Sequence, residues 1–433
     1  MSLRKHAEYK ESGLPLTPIV PSHWRRTALK YLGDYQNGYP FKPEDRGEEG
    51  LPIIRISQLT SDDEPAYFKG ELDQRVKVAT GDLLFSWSAT IDAYIWSRGD
   101  AWLNQHIFKV TESQEASKDF LYYVIKHTAP KLADFDAHGS TMRHIKKESL
   151  SEKLYIPPQQ EQLAIASFLD RETAKIDALI AEQQRLIELL QEKRKAVISH
   201  AVTKGLNPEA PMKDSGVEWL GEVPEHWIVG KLCYYARLDT GSTPDRQRPE
   251  YWNGDIPWVK TGEVRYEDIR ETEEKITELA LQETSCSLQQ PGTLLMALYG
   301  QGVTRGRVGM LMTAASCNQA CAAITPLPSI DGRYLELYLT NAYSHLRSLG
   351  NETTQQNLNL DFVGKLGLLA PPLAEQECIW QATKQMTKEL DALLLQSSDA
   401  IVLLQERRSA LISAAVTGQI DVRGLAEVEG IEQ

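Results

Sequence analysis

The 433-residue sequence is short of several things at once. No apolar run approaches the ~18 residues that would span a bilayer. The opening Met1-Ser-Leu-Arg-Lys-His leads into charged residues rather than a signal core. Cysteines number five, at 233, 286, 317, 321 and 378, all in the second half. An odd count so placed speaks against a disulfide framework and for a reducing compartment, so a cytoplasmic location is expected. Cys317 and Cys321 have no second pair and no nearby His pair, and we read them as buried free thiols rather than zinc ligands. Basic charge is also scarce: 47 Lys and Arg stand against 60 Asp and Glu, a net charge of −13. Phosphate contacts need cations. Any nucleic-acid site must therefore be local or completed by a basic partner, and DNA binding by the chain alone is expected to be weak.

Catalytic signatures are missing too. There is no GxxxxGK[ST] phosphate loop. There is no Asn/Asp-Pro-Pro-aromatic motif of the kind that amino-methyltransferases use. The Pro pairs here follow Ile156 and Ala370, which supply no polar group to hold a target amine. Gly300-Gln-Gly302-Val-Thr-Arg-Gly306 has the wrong glycine spacing for a nucleotide-binding loop and reads as a turn. The nine His form no HExxH or other dense cluster, and the acidic residues are scattered. The chain is expected to be no enzyme, with no catalytic residue and no cofactor or metal site of its own.

What the sequence does contain is one unit written twice. Lys10-Glu11-Ser12-Gly13 recurs as Lys213-Asp214-Ser215-Gly216, and Pro21-Ser22-His23-Trp24 as Pro224-Glu225-His226-Trp227, both at an offset of 203 residues. Pro157-Pro158 with Glu161-Gln162 recurs as Pro371-Pro372 with Glu375-Gln376, at an offset of 214. From there the match is gap-free to Thr203 and Thr417, with 21 of 47 positions identical. The change of offset puts the divergence inside the segment between the two landmarks. A period near 210 residues is a domain duplication and not a solenoid repeat.

The matched stretches, 161–203 and 373–417, read as long helices without internal Pro or Gly. Apolar residues at 176, 179, 180, 186, 187, 190, 197, 198 and 201 fall at spacings of three and four. Lys204-Gly205 and Gly418 end the two helices. At 1.5 Å per residue each spans about 65 Å, and a stripe of that length calls for a partner helix. The other copy is the obvious one, and chain order then requires the pair to run antiparallel about a pseudo-two-fold axis. The segments before the helices are mixed α/β. Strands are expected at Leu51–Ile56, Asp82–Trp87, Trp102–Val110, Ile256–Lys260, Thr293–Tyr299 and Ala320–Thr325, and one amphipathic helix each at Lys118–Phe135 and Arg333–Ser348. The fold class is α+β. The expected division is an N-terminal arm (1–13), a first globular domain (14–160), helix one (161–203), a linker (204–220), a second globular domain (221–372), helix two (373–417) and a tail (418–433).

The run Gly241-Ser-Thr-Pro244, Pro249-Glu-Tyr-Trp252, Gly254-Asp-Ile-Pro-Trp258 resembles the opening of a target-recognition domain of type I restriction–modification specificity subunits. Pro371-Pro-Leu-Ala-Glu-Gln376 resembles that family's junction into its helix, and Ala415-Val-Thr-Gly-Gln-Ile-Asp-Val-Arg-Gly424 its C-terminus. The first copy departs from the pattern: Gln36-Asn-Gly-Tyr-Pro40 is a loose version of Gly-Ser-Thr-Pro, and the Tyr-Trp run is missing. The resemblance covers residues 10–424. It implies that each globular domain reads one half of a split, asymmetric double-stranded DNA site, and that the helices set the spacer. It also implies that two methyltransferase subunits carrying S-adenosylmethionine, and two motor/nuclease subunits using ATP and Mg, are the partners.

Base readout needs polar side chains on exposed loops. In copy one the candidates are Ser86, Trp87, Ser88 and Thr90, then Ser140, Thr141, Arg143 and His144. In copy two they are Tyr299, Gln301, Thr304, Arg305 and Arg307, then Thr354, Gln355, Gln356 and Asn357. Lys42, Arg46, Lys146, Lys147, Arg246 and Arg248 are candidate phosphate contacts. Asn104-Gln105 and Asn318-Gln319 are common to both copies, and residues that must read different bases would differ; a structural role is expected for them. The alternative reading is a structural adaptor with two protein-binding lobes on a coiled-coil rod, which the acidic balance would suit.

Overall fold

The computed structural model describes residues 4–14, 17–136, 144–300, 303–348 and 358–425. The chain divides into two compact units, residues 1–184 with 399–433, and residues 185–398. The division falls inside both long helices, so each unit contains the start of one helix and the end of the other.

In the first unit an antiparallel sheet runs in the order Gly33–Asn37, Ile107–Glu112, Leu83–Ser86, Asp92–Ile95. All four residues of Leu83–Ser86 are buried, as in a strand covered on both faces. The helix Lys118–Asp136 buries Phe120, Leu121, Val124 and Ile125 in one core with Leu83, Phe85, Phe108 and Val110. A second sheet contains Leu51–Ile54 paired parallel to Ala101–Leu103, flanked by Tyr67–Phe68 and Lys77–Val78.

The second unit has the same plan. Its antiparallel sheet runs Ala236–Thr240, Cys321–Pro326, Leu294–Ala297, Val308–Met310. Its smaller sheet pairs Trp252–Val259 parallel to Ser316–Cys317 and antiparallel to Glu274–Ile276. The helix Gly332–Asn341 starts on Asp331, whose carboxylate accepts from the Arg333 and Tyr334 N–H groups. It breaks at Ala342 and resumes as Tyr343–Ser348, where the sequence pattern suggests one helix.

The expected strand Trp102–Val110 is two strands in different sheets, Ala101–Leu103 and Ile107–Glu112. The apolar pattern is continuous, but Asn104-Gln105 turns the chain from one sheet to the other, and the Ile107 N–H closes the turn on the Asn104 carbonyl. Asn318-Gln319 does the same between Ser316–Cys317 and Cys321–Pro326, with Cys321 N–H donating to the Asn318 carbonyl. Against each turn lies a glycine that no other residue could replace. A Cβ on Gly38 would stand 2.2 Å from the Leu103 carbonyl oxygen, and one on Gly241 would stand 2.1 Å from that of Cys317.

The long helices are Gln159–Lys204 and Leu373–Val416. Gly205 and Gly418 follow with positive φ, 75° and 71°, the left-handed exit that ends a helix. The apolar stripe is shared between core and surface. Ile176, Leu190, Ile198 and Ala201 are buried, whereas Leu179, Leu186 and Leu189 are exposed. Leu393 and Leu403, the counterparts of Leu179 and Leu189, are exposed as well. Cys286, Cys317 and Cys321 are buried free thiols, and Cys233 and Cys378 are exposed. Among the described residues no helix is long and apolar enough to cross a membrane.

Candidate nucleic-acid interface

The repeated landmarks form a lock at the start of each long helix. In the first unit Trp24 is buried, its indole Nε1 donates to Glu161 Oε1 at 3.0 Å, and His23 Nε2 lies 2.8 Å from Glu161 Oε2. In the second, Trp227 Nε1 donates to Glu375 Oε1 at 3.0 Å, and His226 Nε2 lies 2.8 Å from Glu375 Oε2. The neighbouring glutamines are buried: Gln162 donates to the carbonyls of Pro157 and Glu115 and accepts from the Ser117 N–H. Gln376 donates to Pro371 and Ser329 and accepts from the Asp331 N–H. Lys10 donates to the Ser22 and Trp24 carbonyls, and Lys213 to that of Trp227. The motifs that make the repeat visible fix each globular part to the start of a long helix.

Two of the candidate reading segments come together in space. The loop after Leu83–Ser86 bridges through Ser88 to His144, and the Ile145 N–H donates to the Trp87 carbonyl. Ala89 holds a positive φ of 58° at the tip, and Thr90 beside it is exposed. Trp87 is half-buried and donates to the Asn37 side chain. Ser86 and Ser88 depart from the expectation of exposed loop residues. Ser86 is fully buried at the strand end, with its hydroxyl bonded to the carbonyls of Thr90 and Asp92, and Ser88 is buried beside it. Ser140, Thr141 and Arg143 lie outside the described residues.

In the second unit the corresponding loop follows Leu294–Ala297. Tyr299 is exposed, and Thr304 and Arg307 are half-buried. Arg305 departs from expectation: it is buried, and its guanidinium donates to the Arg347 carbonyl. Gln301, Thr354, Gln355, Gln356 and Asn357 lie outside the described residues. Leu358, immediately after them, donates its N–H to the Leu298 carbonyl. The segment before each Pro-Pro junction thus approaches the same strand-end loop in both units.

Lys42, Arg46, Lys146 and Lys147 are exposed. Arg246 stacks over Trp252 and Trp258, 4.0 and 5.2 Å from the ring centroids, and pairs with Glu274. Arg248 stacks on Tyr251 and pairs with Glu250 and Glu283, and the Glu250 hydrogen bond raises its already high pKa. Arg246 lines an open cleft with Thr243, Trp258, Lys260, Arg265 and Asn318. Lys260, which pairs with Glu273 and Glu274, and Arg265 were not among the sequence candidates. In the first unit three basic residues outside the sequence candidates, Arg25, Arg26 and Lys153, line a cleft with Glu115, which pairs with Arg25. The pairing of Arg25–Ala28 with Lys153–Ile156 brings these three together across more than 120 residues, a distance that no local pattern reports. Asn104 is buried in its turn. The side-chain oxygen of Asn318 is buried without a partner among the described residues.

The fold and its loops describe a class of protein with two mixed α/β parts, each locked to a long helix and each carrying polar loops at equivalent places. Comparison with known proteins gives that class its family. The model of the type I restriction modification DNA specificity domain matches twice, over residues 21–190 and 224–401. The chain belongs to this family. Among curated relatives it is 24% identical to the type I restriction enzyme EcoBI specificity subunit of Escherichia coli, over 94% of this chain and 88% of that one. It is 22% identical to the MjaVIII specificity subunit of Methanocaldococcus jannaschii, over 94% and 95%. Among solved structures, a chain from a type I R-M system superposes with a TM-score of 0.67 at 15% identity, covering 93% of this chain and 99% of that one.

Proposed function

We propose that this chain is the DNA-specificity subunit of a type I restriction–modification complex, cytoplasmic and without catalysis of its own. Each of its two mixed α/β parts reads one half of a bipartite, asymmetric DNA site. The observation that carries the reading is the twofold match to the specificity-domain family. It is supported by the contrast between an identical lock in both units and different side chains on their equivalent loops. A frame repeated with two unlike readers suits a site whose halves differ. Family membership disfavours the adaptor reading.

The long helices set the spacer as an antiparallel pair. Two ion pairs support this geometry. Arg408 pairs with Asp177 in the first unit, and Arg194 pairs with Asp391 in the second, each at 2.8 Å. Asp177 matches Asp391 in the repeat, and Arg194 matches Arg408, so the same contact recurs with the copies exchanged. Surface ion pairs add little stability but do report register. The repeated exposed leucines, Leu179 with Leu393 and Leu189 with Leu403, suit the docking of two copies of one partner. That partner is a methyltransferase subunit carrying S-adenosylmethionine. Two motor/nuclease subunits that use ATP and Mg complete the restriction complex.

The test is selection from a random duplex pool, with the chain alone and with a co-expressed methyltransferase subunit. One split sequence should be enriched with the partner, and far less without it, the outcome expected from a net charge of −13. If nothing is enriched even with the partner, the proposal fails.

A further inference from the structure

Glu161 has a neighbour that Glu375 lacks. His6, from the N-terminal arm, places Nε2 3.9 Å from Glu161 Oε1, and its ring lies 5.6 Å from that of His23. One ligand atom from each of His6, His23 and Glu161 lies within 4.8 Å of the other two. No other such group of three gathers among the described residues. The position 203 residues after His6 is Glu209, so the second copy repeats the His–Trp–Glu lock without a third imidazole. As a purely structural device the lock is complete in the second unit with two partners. The extra ring is buried, and its Nδ1 has no hydrogen-bond partner among the described residues.

We infer that His6, His23 and Glu161 form a binding site for one divalent transition-metal ion of the zinc type. Two imidazoles and a carboxylate are a recognised ligand set for zinc with one position left open. Tetrahedral coordination at about 2.0–2.1 Å needs ligand atoms about 3.3 Å apart. His23 Nε2 lies 2.8 Å from Glu161 Oε2 and His6 Nε2 lies 3.9 Å from Glu161 Oε1, so the two imidazoles approach different oxygens of one carboxylate at distances on either side of that value. Coordination through His6 Nε2 moves the ring proton to Nδ1, which faces Asp421 Oδ2 at 3.9 Å. A metal-bound imidazole ordinarily donates to a carboxylate, and a closure of about 1 Å from the present 3.9 Å would let Nδ1 donate to Asp421. The Nε2 contact with the Ile420 carbonyl at 3.2 Å is given up in exchange. Asp421 follows the second long helix, so the ion would tie the N-terminal arm, the start of the first long helix and the chain after the second within one unit.

The test uses purified full-length chain, stripped with chelator, dialysed against zinc chloride and analysed for bound metal, with cobalt(II) as an optical probe. One equivalent should bind. The cobalt form should show the weak visible bands of nitrogen and oxygen ligands without an intense near-ultraviolet thiolate band. His6→Gln and His23→Gln should each weaken binding by about 100-fold, Asp421→Asn by about 10-fold, and His226→Gln should change nothing. His23 is partly exposed, so its variant serves where His6→Gln fails to fold. Absence of bound zinc in the unaltered chain, full binding by His23→Gln, or a thiolate band pointing to the cysteines would overturn the proposal.

Discussion

At the scale of single residues, the buried indole of Trp227 shows what the repeated landmarks do. Its N–H has one acceptor, Glu375 Oε1, and the ring is wholly enclosed. Glu375→Ala leaves that donor unsatisfied and should cost about 1–3 kcal/mol of unfolding free energy in denaturant titration. Trp227→Phe removes the donor along with the need for an acceptor, but leaves part of the indole's space empty. A second residue makes stability depend on pH. Burial, reinforced by the Lys131 ammonium donating to it at 2.8 Å, pushes the His127 imidazole down to about 4. The unfolded state takes up this proton near 6.5 and the folded state only near 4. His127 therefore costs nothing above pH 6.5, and stability falls as pH drops from 6.5 towards 4, by at most about 3 kcal/mol. His127→Gln should flatten that part of the stability profile. An unchanged slope between pH 6.5 and 4.5 would show that other groups cause it.

At the scale of elements, the two strand-to-strand turns depend on glycine. Gly38→Ala or Gly241→Ala would drive a methyl group into backbone carbonyls that have no freedom to withdraw. Each should destabilise its own unit by several kcal/mol, on the order of 3, read as earlier unfolding of one of two transitions by calorimetry. The same turns show how far the sequence was legible. The long helices were plain, because 46 residues without Pro or Gly and with one spacing have no other reading. The strand Trp102–Val110 was misjudged because the residues on either side of Asn104 are apolar for two different sheets, and periodicity counts them as one. Among the candidate readers, Ser86 and Arg305 have polar side chains that the sequence treats as exposed, yet each is buried with its partner on the backbone. A residue's type carries no record of which side of a loop it faces. The cleft around Arg25 was invisible because strand pairing, not chain neighbourhood, assembles it.

At the scale of the whole molecule, the proposed function makes the helices a ruler and the globular parts interchangeable readers. Inserting seven residues at matched points of both long helices should lengthen the spacer of the enriched duplex and leave both half-sites unchanged, because two turns of helix preserve the facing of side chains. A spacer that does not change would remove the ruler role. The central claim, one reader per half-site, is tested most directly by exchange. Residues 14–160 would be replaced with the corresponding part of another specificity subunit, the complex rebuilt with its methyltransferase subunits, and the modified bases in DNA mapped by sequencing. The account predicts that one half-site changes while the other half and the spacer stay as they were. A change in both halves, or in neither, would contradict it.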